Sequence, residues 1–302
     1  MGTGASPPSV KRLVLKVVPD EATRLAALKR GEVDIAYLIR GALAEEVRRT
    51  PGLTLKHATI NATFWLSFFD QWDPKSPWHD RRVRQAAGYA INRQGYNQAE
   101  LLGLGKLTGS IIPTSFEFYW PTPPAMYDPG RARQLLAEAG YPNGFDAGDL
   151  SCDITFTGPE SVVNDLRAVG VRAKLRPMER AAFFKEFAEK KFKNLAYTNS
   201  GTFGNAATRI EAFVAAGGTY TYGSYPDIDG LAREQAVEMD RKRREVTLHR
   251  IQQLIHEKAM VAPLWEPVFL VGLGPRVEEA GLGLITGYPY SAPYEDLKLK
   301  AR

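Results

Sequence analysis

Apolar residues recur three and four positions apart in several stretches of the chain, which is the spacing of one face of a helix. The clearest stretch runs from Tyr127 to Phe145. Asp128 can accept hydrogen bonds from the first free amides, Pro129 suits the first helical position, and Gly140 can adopt the left-handed conformation that ends a helix. The pattern predicts a helix between Asp128 and Gly140 that carries no chemistry.

Three further segments combine a helix pattern with start or stop signals. Residues 19–38 predict a helix that begins near Asp20 and ends at Gly31 before a strand. Residues 79–105 open with Asp80 as a helix cap. Residues 231–258 predict one long helix, and residues 262–273 that follow it predict a single strand.

Strand and helix patterns alternate in the second half of the chain. Short apolar runs predict strands at 151–156, 171–176 and 195–199, and helical patterns at 162–168 and 181–190 separate them. Residues 10–65 also mix strands and helices. This alternation predicts an α/β fold, in which helices cover a sheet.

These segments, in this order, resemble the bacterial extracellular solute-binding proteins of family 5, which serve ABC importers. The resemblance implies a periplasmic binding protein type II-like fold with two lobes joined by crossing strands. It places a partial first lobe at residues 1–75 and 263–302 and a second α/β lobe at 76–262, with the loop 69–80 as one crossing. Because family members are longer at the N-terminus, we expect the first lobe to be incomplete.

Composition predicts a globular protein. The 302 residues are 44% hydrophobic and 24% charged, enough for a substantial core. The net charge of +5 is spread along the chain without a recognition motif, so we expect no nucleic-acid partner. No apolar run reaches the ~20 residues of a membrane span. The first 13 residues lack the apolar core of a signal peptide, and the lone Cys152 excludes an internal disulfide.

No sequence motif indicates catalysis or a resident metal. His256 and Glu257 begin like a zinc-protease helix, but Met260 occupies the position of the second histidine. The glycine clusters miss the dinucleotide-binding spacing by one residue, and no phosphate loop or nucleophile elbow is present. We therefore expect a protein without catalytic activity, cofactor or metal.

The resemblance points instead to a ligand-binding loop at 197–209. Phe203 stands where the family has an aspartate that pairs with a peptide's α-amino group, and Ser200 stands where it has a tryptophan. This departure predicts a different solute, although an ordinary turn rich in Gly and Asn remains an alternative. The candidate ligand-binding residues are Trp65, Tyr197, Asn199, Thr202, Phe203, Asn205 and Trp265. The tryptophans could equally be core residues.

The resemblance implies the substrate-binding component of an ABC importer, which captures a peptide or similar small solute in a cleft between lobes. Its expected partners are that solute and the membrane permease subunits. The expected location is the periplasm, and the expected state is a monomer. Two alternatives remain open at this point: a truncated remnant that acts as an interaction protein, and a metal-binding protein or enzyme.

Overall fold

The computed structural model describes residues 8–201, 204–285 and 287–300, and the chain divides into two units. Unit 1 comprises Met1–Asn61, Asn97–Lys106 and Pro267–Arg302. Unit 2 comprises Ala62–Tyr96 and Leu107–Glu266. The units divide the chain at other positions than the predicted lobe boundaries at 75 and 263, and those lobes stay a prediction.

The helices and strands alternate along most of the chain. The helices are α1 Glu21–Lys29, α2 Gly41–Arg49, α3 Arg81–Ala90, α4 Arg93–Leu101, α5 Pro129–Glu138, α6 Pro159–Ala168, α7 Arg180–Ala188, α8 Ala206–Phe213, α9 Pro226–Val237 and α10 Arg241–Glu257. The strands are β1 Ile35–Tyr37, β2 Thr54–Thr59, β3 Thr63–Phe68, β4 Lys106–Leu107, β5 Phe145–Asp153, β6 Val171–Met178, β7 Leu195–Ser200, β8 Val261–Glu266, β9 Val268–Leu273, β10 Val277–Glu279 and β11 Lys298–Leu299. The α/β prediction is confirmed.

Unit 1 contains a three-stranded antiparallel sheet in the order β1, β9, β2. Helices α1 and α2 pack on it through buried Leu28 and Val47. Both side chains lie over Gly272 of β9, where an added Cβ would come within 2.6 Å of Leu28. The glycine therefore lets the helices approach the sheet closely.

Unit 2 is built on a mixed sheet in the order β4, β8, β3, β7, β5, β6. Strand β3 runs antiparallel to β7 and β8, whereas β5 runs parallel to β6 and β7. Every residue of β3 is buried, as expected for a central strand covered on both faces. One face, which carries Trp65, packs against apolar residues of α8 and α10, including Ile210 and Ile251.

The predicted helix after Asp128 is confirmed as α5. The Asp128 carboxylate accepts a hydrogen bond from the amide of Arg131 at 2.8 Å. At the other end, Gly140 has φ +94° and the amide of Tyr141 donates to the carbonyl of Leu136. Both ends of this helix are therefore determined by local signals that the sequence displays.

Two predictions of single elements are wrong, because the structure divides each element into two. The single helix over 231–258 is two helices, α9 and α10, and Asp240 caps the second by accepting from the amides of Lys242 and Arg243. The single strand over 262–273 is two strands, β8 and β9, which separate at Pro267. Proline has no amide hydrogen to donate, so it interrupts a strand ladder.

The cap of α5 leads to a first prediction. Asp128→Ala removes the acceptor for the Arg131 amide, so we expect the free energy of unfolding to fall by about 1 kcal/mol. Urea unfolding followed by circular dichroism measures this change. Asp128→Asn is the matched control, because asparagine caps equally well and should lose little. Equal losses for the alanine and asparagine variants would contradict the capping role.

Candidate functional site

Three strands of unit 2 bring their ends together at one edge of the sheet. Thr63 pairs with Ser200, while Phe64 pairs with Asn199 on one side and with Trp265 on the other. The first residues of β3 therefore lie beside the last residues of β7 and β8. We call this place the strand-end edge and define it by Thr63, Phe64, Asn199, Ser200, Trp265 and Glu266.

An aromatic cluster supports the strand-end edge on the face that carries Phe64. The rings of Phe64 and Tyr197 lie 5.1 Å apart, and Tyr96 stacks on Trp265 with ring centroids 4.1 Å apart. Gly158 closes the cluster with φ +100°, and an added Cβ would lie 2.9 Å from Tyr96. Trp265 and Tyr197 are almost completely buried, so this cluster is a packed support.

The Tyr197 hydroxyl is held by a backbone carbonyl. It donates a hydrogen bond to the carbonyl of Thr157 at 2.7 Å. Burial raises the pKa of Tyr197 well above its ordinary value, so the phenol stays neutral and remains a donor at physiological pH. This bond fixes the residue before Gly158 against β7.

Trp65 lies on the opposite face of β3 and is only 1% exposed. Its indole nitrogen donates to the hydroxyl of Ser67 at 2.9 Å, and its ring meets Phe213 edge-on at 5.2 Å. A cavity of about 40 Å³ borders both rings. This volume can hold a water molecule, but it is far below the ~300 Å³ of a small-molecule pocket.

The connection from β7 to α8 carries the remaining predicted residues. Asn199 is half-buried at the end of β7. Asn205 caps α8, because its side chain accepts from the amides of Ala207 and Thr208 while Thr208 bonds back to the Asn205 amide. Thr202 and Phe203 lie outside the described residues.

Two residues of unit 2, Glu266 of the strand-end edge and Arg209 of α8, were missed by sequence reasoning. The Glu266 carboxylate accepts from the amide of Thr114 at 2.9 Å and from its hydroxyl at 3.1 Å, which ties the loop around Thr114 to the end of β8. Arg209 lies in the first turns of α8 and is 1% exposed. Neither residue belongs to a recognisable motif, and the contacts of both depend on residues distant in sequence.

Acidic, histidine and cysteine side chains do not gather into a metal centre in the described part of the chain, where no group of three or more is placed to hold an ion. Cys152 is buried in β5, and burial raises the pKa of its thiol to about 11. A thiol with that pKa is a poor nucleophile at neutral pH. Among the described residues, no helix combines the length and apolar composition that a membrane crossing requires.

Comparison with known proteins identifies a family match. The family model for bacterial extracellular solute-binding proteins, family 5 Middle, matches residues 4–221. Heme-binding protein A of Haemophilus influenzae is 26% identical over 279 residues, which are 88% of this chain and 50% of that protein. The probable di/tripeptide-binding protein 5 of Pseudomonas aeruginosa is also 26% identical, over 87% of this chain and 51% of that protein.

The fold has solved counterparts. The ABC transporter-associated periplasmic binding protein DppA from Helicobacter pylori, in complex with the peptide STSA, superposes with a TM-score of 0.78 at 21% identity. The match covers 95% of this chain and 56% of that one. The predicted likeness to type II periplasmic binding proteins is thereby confirmed, and the chain spans about half the length of the curated relatives it matches.

Proposed function

Because the chain belongs to the bacterial extracellular solute-binding proteins of family 5, we propose that it captures a peptide or similar small solute for an ABC importer. The supporting observation is the strand-end edge. There, polar residues of three strands lie together at one edge of the sheet, beside an aromatic cluster that is already packed. A rigid apolar support with a few polar groups is the usual composition of a small-molecule site.

The predicted site residues take different parts in this proposal. Asn199 is half-buried at the strand-end edge and contacts the solute with its side-chain amide. Tyr197, Trp265 and Trp65 are buried, so they support the site without contacting the solute. Tyr197 and Trp265 do so as members of the aromatic cluster, and Trp65 does so by packing on the opposite face of β3. Asn205 positions the start of α8 by capping it. Contacts from Thr202 and Phe203 remain predictions from the sequence.

We infer that the solute leaves chemically unchanged, since the family consists of binding proteins. The solved relative from Helicobacter pylori is described as transporter-associated and periplasmic. We propose the same setting for this chain, with permease subunits of an ABC importer as its protein partners and a monomer as its state. The named relatives bind heme and short peptides, so both classes belong among the first solutes to test.

A thermal-shift panel tests the proposal on the whole chain. The panel contains dipeptides, tripeptides and heme, each at about a hundredfold excess over a micromolar dissociation constant. We expect one class to raise the melting temperature by roughly 5 °C, because saturating ligand adds about 2.7 kcal/mol of stability. A panel without any shift, together with mass spectra that show a chemically altered solute, would contradict it.

The two alternative functions have their own readouts. Elemental analysis of the purified protein that gives stoichiometric zinc, nickel or iron would favour a metal protein. Size-exclusion chromatography that shows self-association or a retained protein partner, without solute binding, would favour an interaction protein. We expect no stoichiometric metal in the elemental analysis and a monomer in size-exclusion chromatography.

A further inference from the structure

Gln71 carries a buried amide oxygen that receives no hydrogen bond from the described residues. The residue is 7% exposed, and its Oε1 atom is buried without a partner in the part of the chain that the structure describes. An unpaired buried acceptor is costly, because the oxygen has given up its hydration without gaining another donor. Such a group calls for a donor from outside the described residues.

The other end of the same amide fixes which way the side chain points. Its Nε2 donates to the carbonyls of Phe68 and Met260, both at 2.9 Å. Both partners are acceptors, so only the NH₂ group of the amide can face them. Turning the amide over would bring its oxygen against two carbonyl oxygens and break both bonds. Oε1 is therefore held away from these carbonyls, and it accepts hydrogen bonds but cannot donate them.

Gln71 lines the cavity of about 40 Å³ that borders Trp65 and Phe213. Most of the wall is aromatic, and Ser67 of β3 is a second polar residue in it. The cavity therefore combines apolar surfaces, which attract no water, with at least one acceptor that needs a donor.

The hydrogen bonds around Ser67 leave its oxygen able to accept one more. The Ser67 hydroxyl accepts from the Trp65 indole at 2.9 Å and lies 3.1 Å from the Thr198 hydroxyl. Thr198 donates its own proton to the carbonyl of Trp65, so Ser67 donates to Thr198. A hydroxyl oxygen has two lone pairs, and the indole uses one of them. Ser67 thus supplies a second acceptor to the wall of the cavity.

The volume selects the size of the occupant. A water molecule needs about 10–15 Å³ of such space, whereas a cavity that admits a benzene ring measures about 150 Å³. At about 40 Å³ this cavity has room for water and is too small for an organic solute. Immobilising one water typically costs less than leaving a buried acceptor unpaired, so binding is favourable.

We propose that this cavity is the binding site of an internal water molecule, which donates to Gln71 Oε1 and Ser67 Oγ. The two hydrogens of water match the two acceptors. Gln71 links Phe68, the last residue of β3, to Met260, which precedes β8. The strand-end edge lies at the opposite ends of these strands, so the water completes the hydrogen bonding of the residue that joins β3 to β8 at their far ends.

A crystal structure of the whole chain tests the site directly. We expect a density peak for water about 2.7–3.2 Å from Gln71 Oε1. An unfilled cavity, or a protein donor within that distance of Oε1, would overturn the proposal. A second crystal under xenon pressure separates a wet cavity from a dry one, because xenon enters cavities that stay dry. Xenon in place of the water in the wild-type protein would equally overturn it.

A double-mutant cycle tests the site in solution. Val214 lines the cavity and is 3% exposed, so Val214→Ile adds a methyl group at its wall. We expect this change to displace the water and lower the melting temperature by roughly 3 °C, because Oε1 loses its donor. In Gln71→Met, which has no amide oxygen, the same change should cost clearly less. Any cost of tighter packing is common to both backgrounds, so equal shifts would contradict the water site.

Discussion

Replacing Trp65 with alanine is expected to lower the free energy of unfolding by about 4 kcal/mol. The indole is 1% exposed in the middle of β3 and contacts Phe213 on α8. Its removal enlarges a cavity that already borders the ring and breaks the hydrogen bond that the indole donates to the hydroxyl of Ser67. The expected loss combines this unfilled volume with the lost hydrogen bond.

Denaturant unfolding of Trp65→Ala and Trp65→Phe measures this effect. Phenylalanine keeps most of the ring volume, so we expect it to lose clearly less stability than alanine. The sequence also allowed Trp65 to be a direct ligand contact. A Trp65→Ala protein that keeps its stability but loses solute binding would establish that role and contradict the structural one.

Arg84→Met is expected to lower the free energy of unfolding by about 3 kcal/mol or more. Arg84 is buried, and its donors bond to carbonyls of Trp78, His79, Lys258 and Ala259 at 2.6 to 2.9 Å. These carbonyls belong to the turn before α3 and to the end of α10. The methionine variant leaves these four carbonyls without a charged donor and removes the hydrogen bonds that link the turn before α3 to the end of α10.

Arg84→Lys is the control for charge alone. Lysine keeps the positive charge, but a single ammonium group cannot reach four carbonyls with the geometry of a guanidinium. We therefore expect an intermediate loss in urea unfolding. A change below about 0.5 kcal/mol for Arg84→Met, the size of an ordinary surface substitution, would show that these bonds contribute little.

Local signals in the sequence predicted α5 well because both of its ends are determined by neighbouring residues. Asp128 caps the first turn and Gly140 reverses the backbone after the last turn. The prediction of one helix over 231–258 and one strand over 262–273 was wrong because it followed the spacing of apolar residues alone. Asp240 and Pro267 interrupt that spacing little, but Asp240 begins a new helix by capping it and Pro267 interrupts the strand.

The site was predictable only in part. The sequence pattern singled out aromatic residues in strands, but a strand pattern does not tell which face a neighbouring helix covers. Arg209 gave no signal, because an arginine in a helix ordinarily faces solvent. Its burial follows from the register of β3 with β7 and from the packing of Phe213 on Trp65, which are contacts between residues distant in sequence.

Hydrogen–deuterium exchange with and without a binding solute is the most direct test of solute capture at the strand-end edge. With the solute that gives the largest thermal shift, we expect slower exchange in residues 63–66, 199–201, 204–209 and 264–266, and recovery of the unchanged solute. Protection confined to other segments, or none at saturation, would contradict this location for the site.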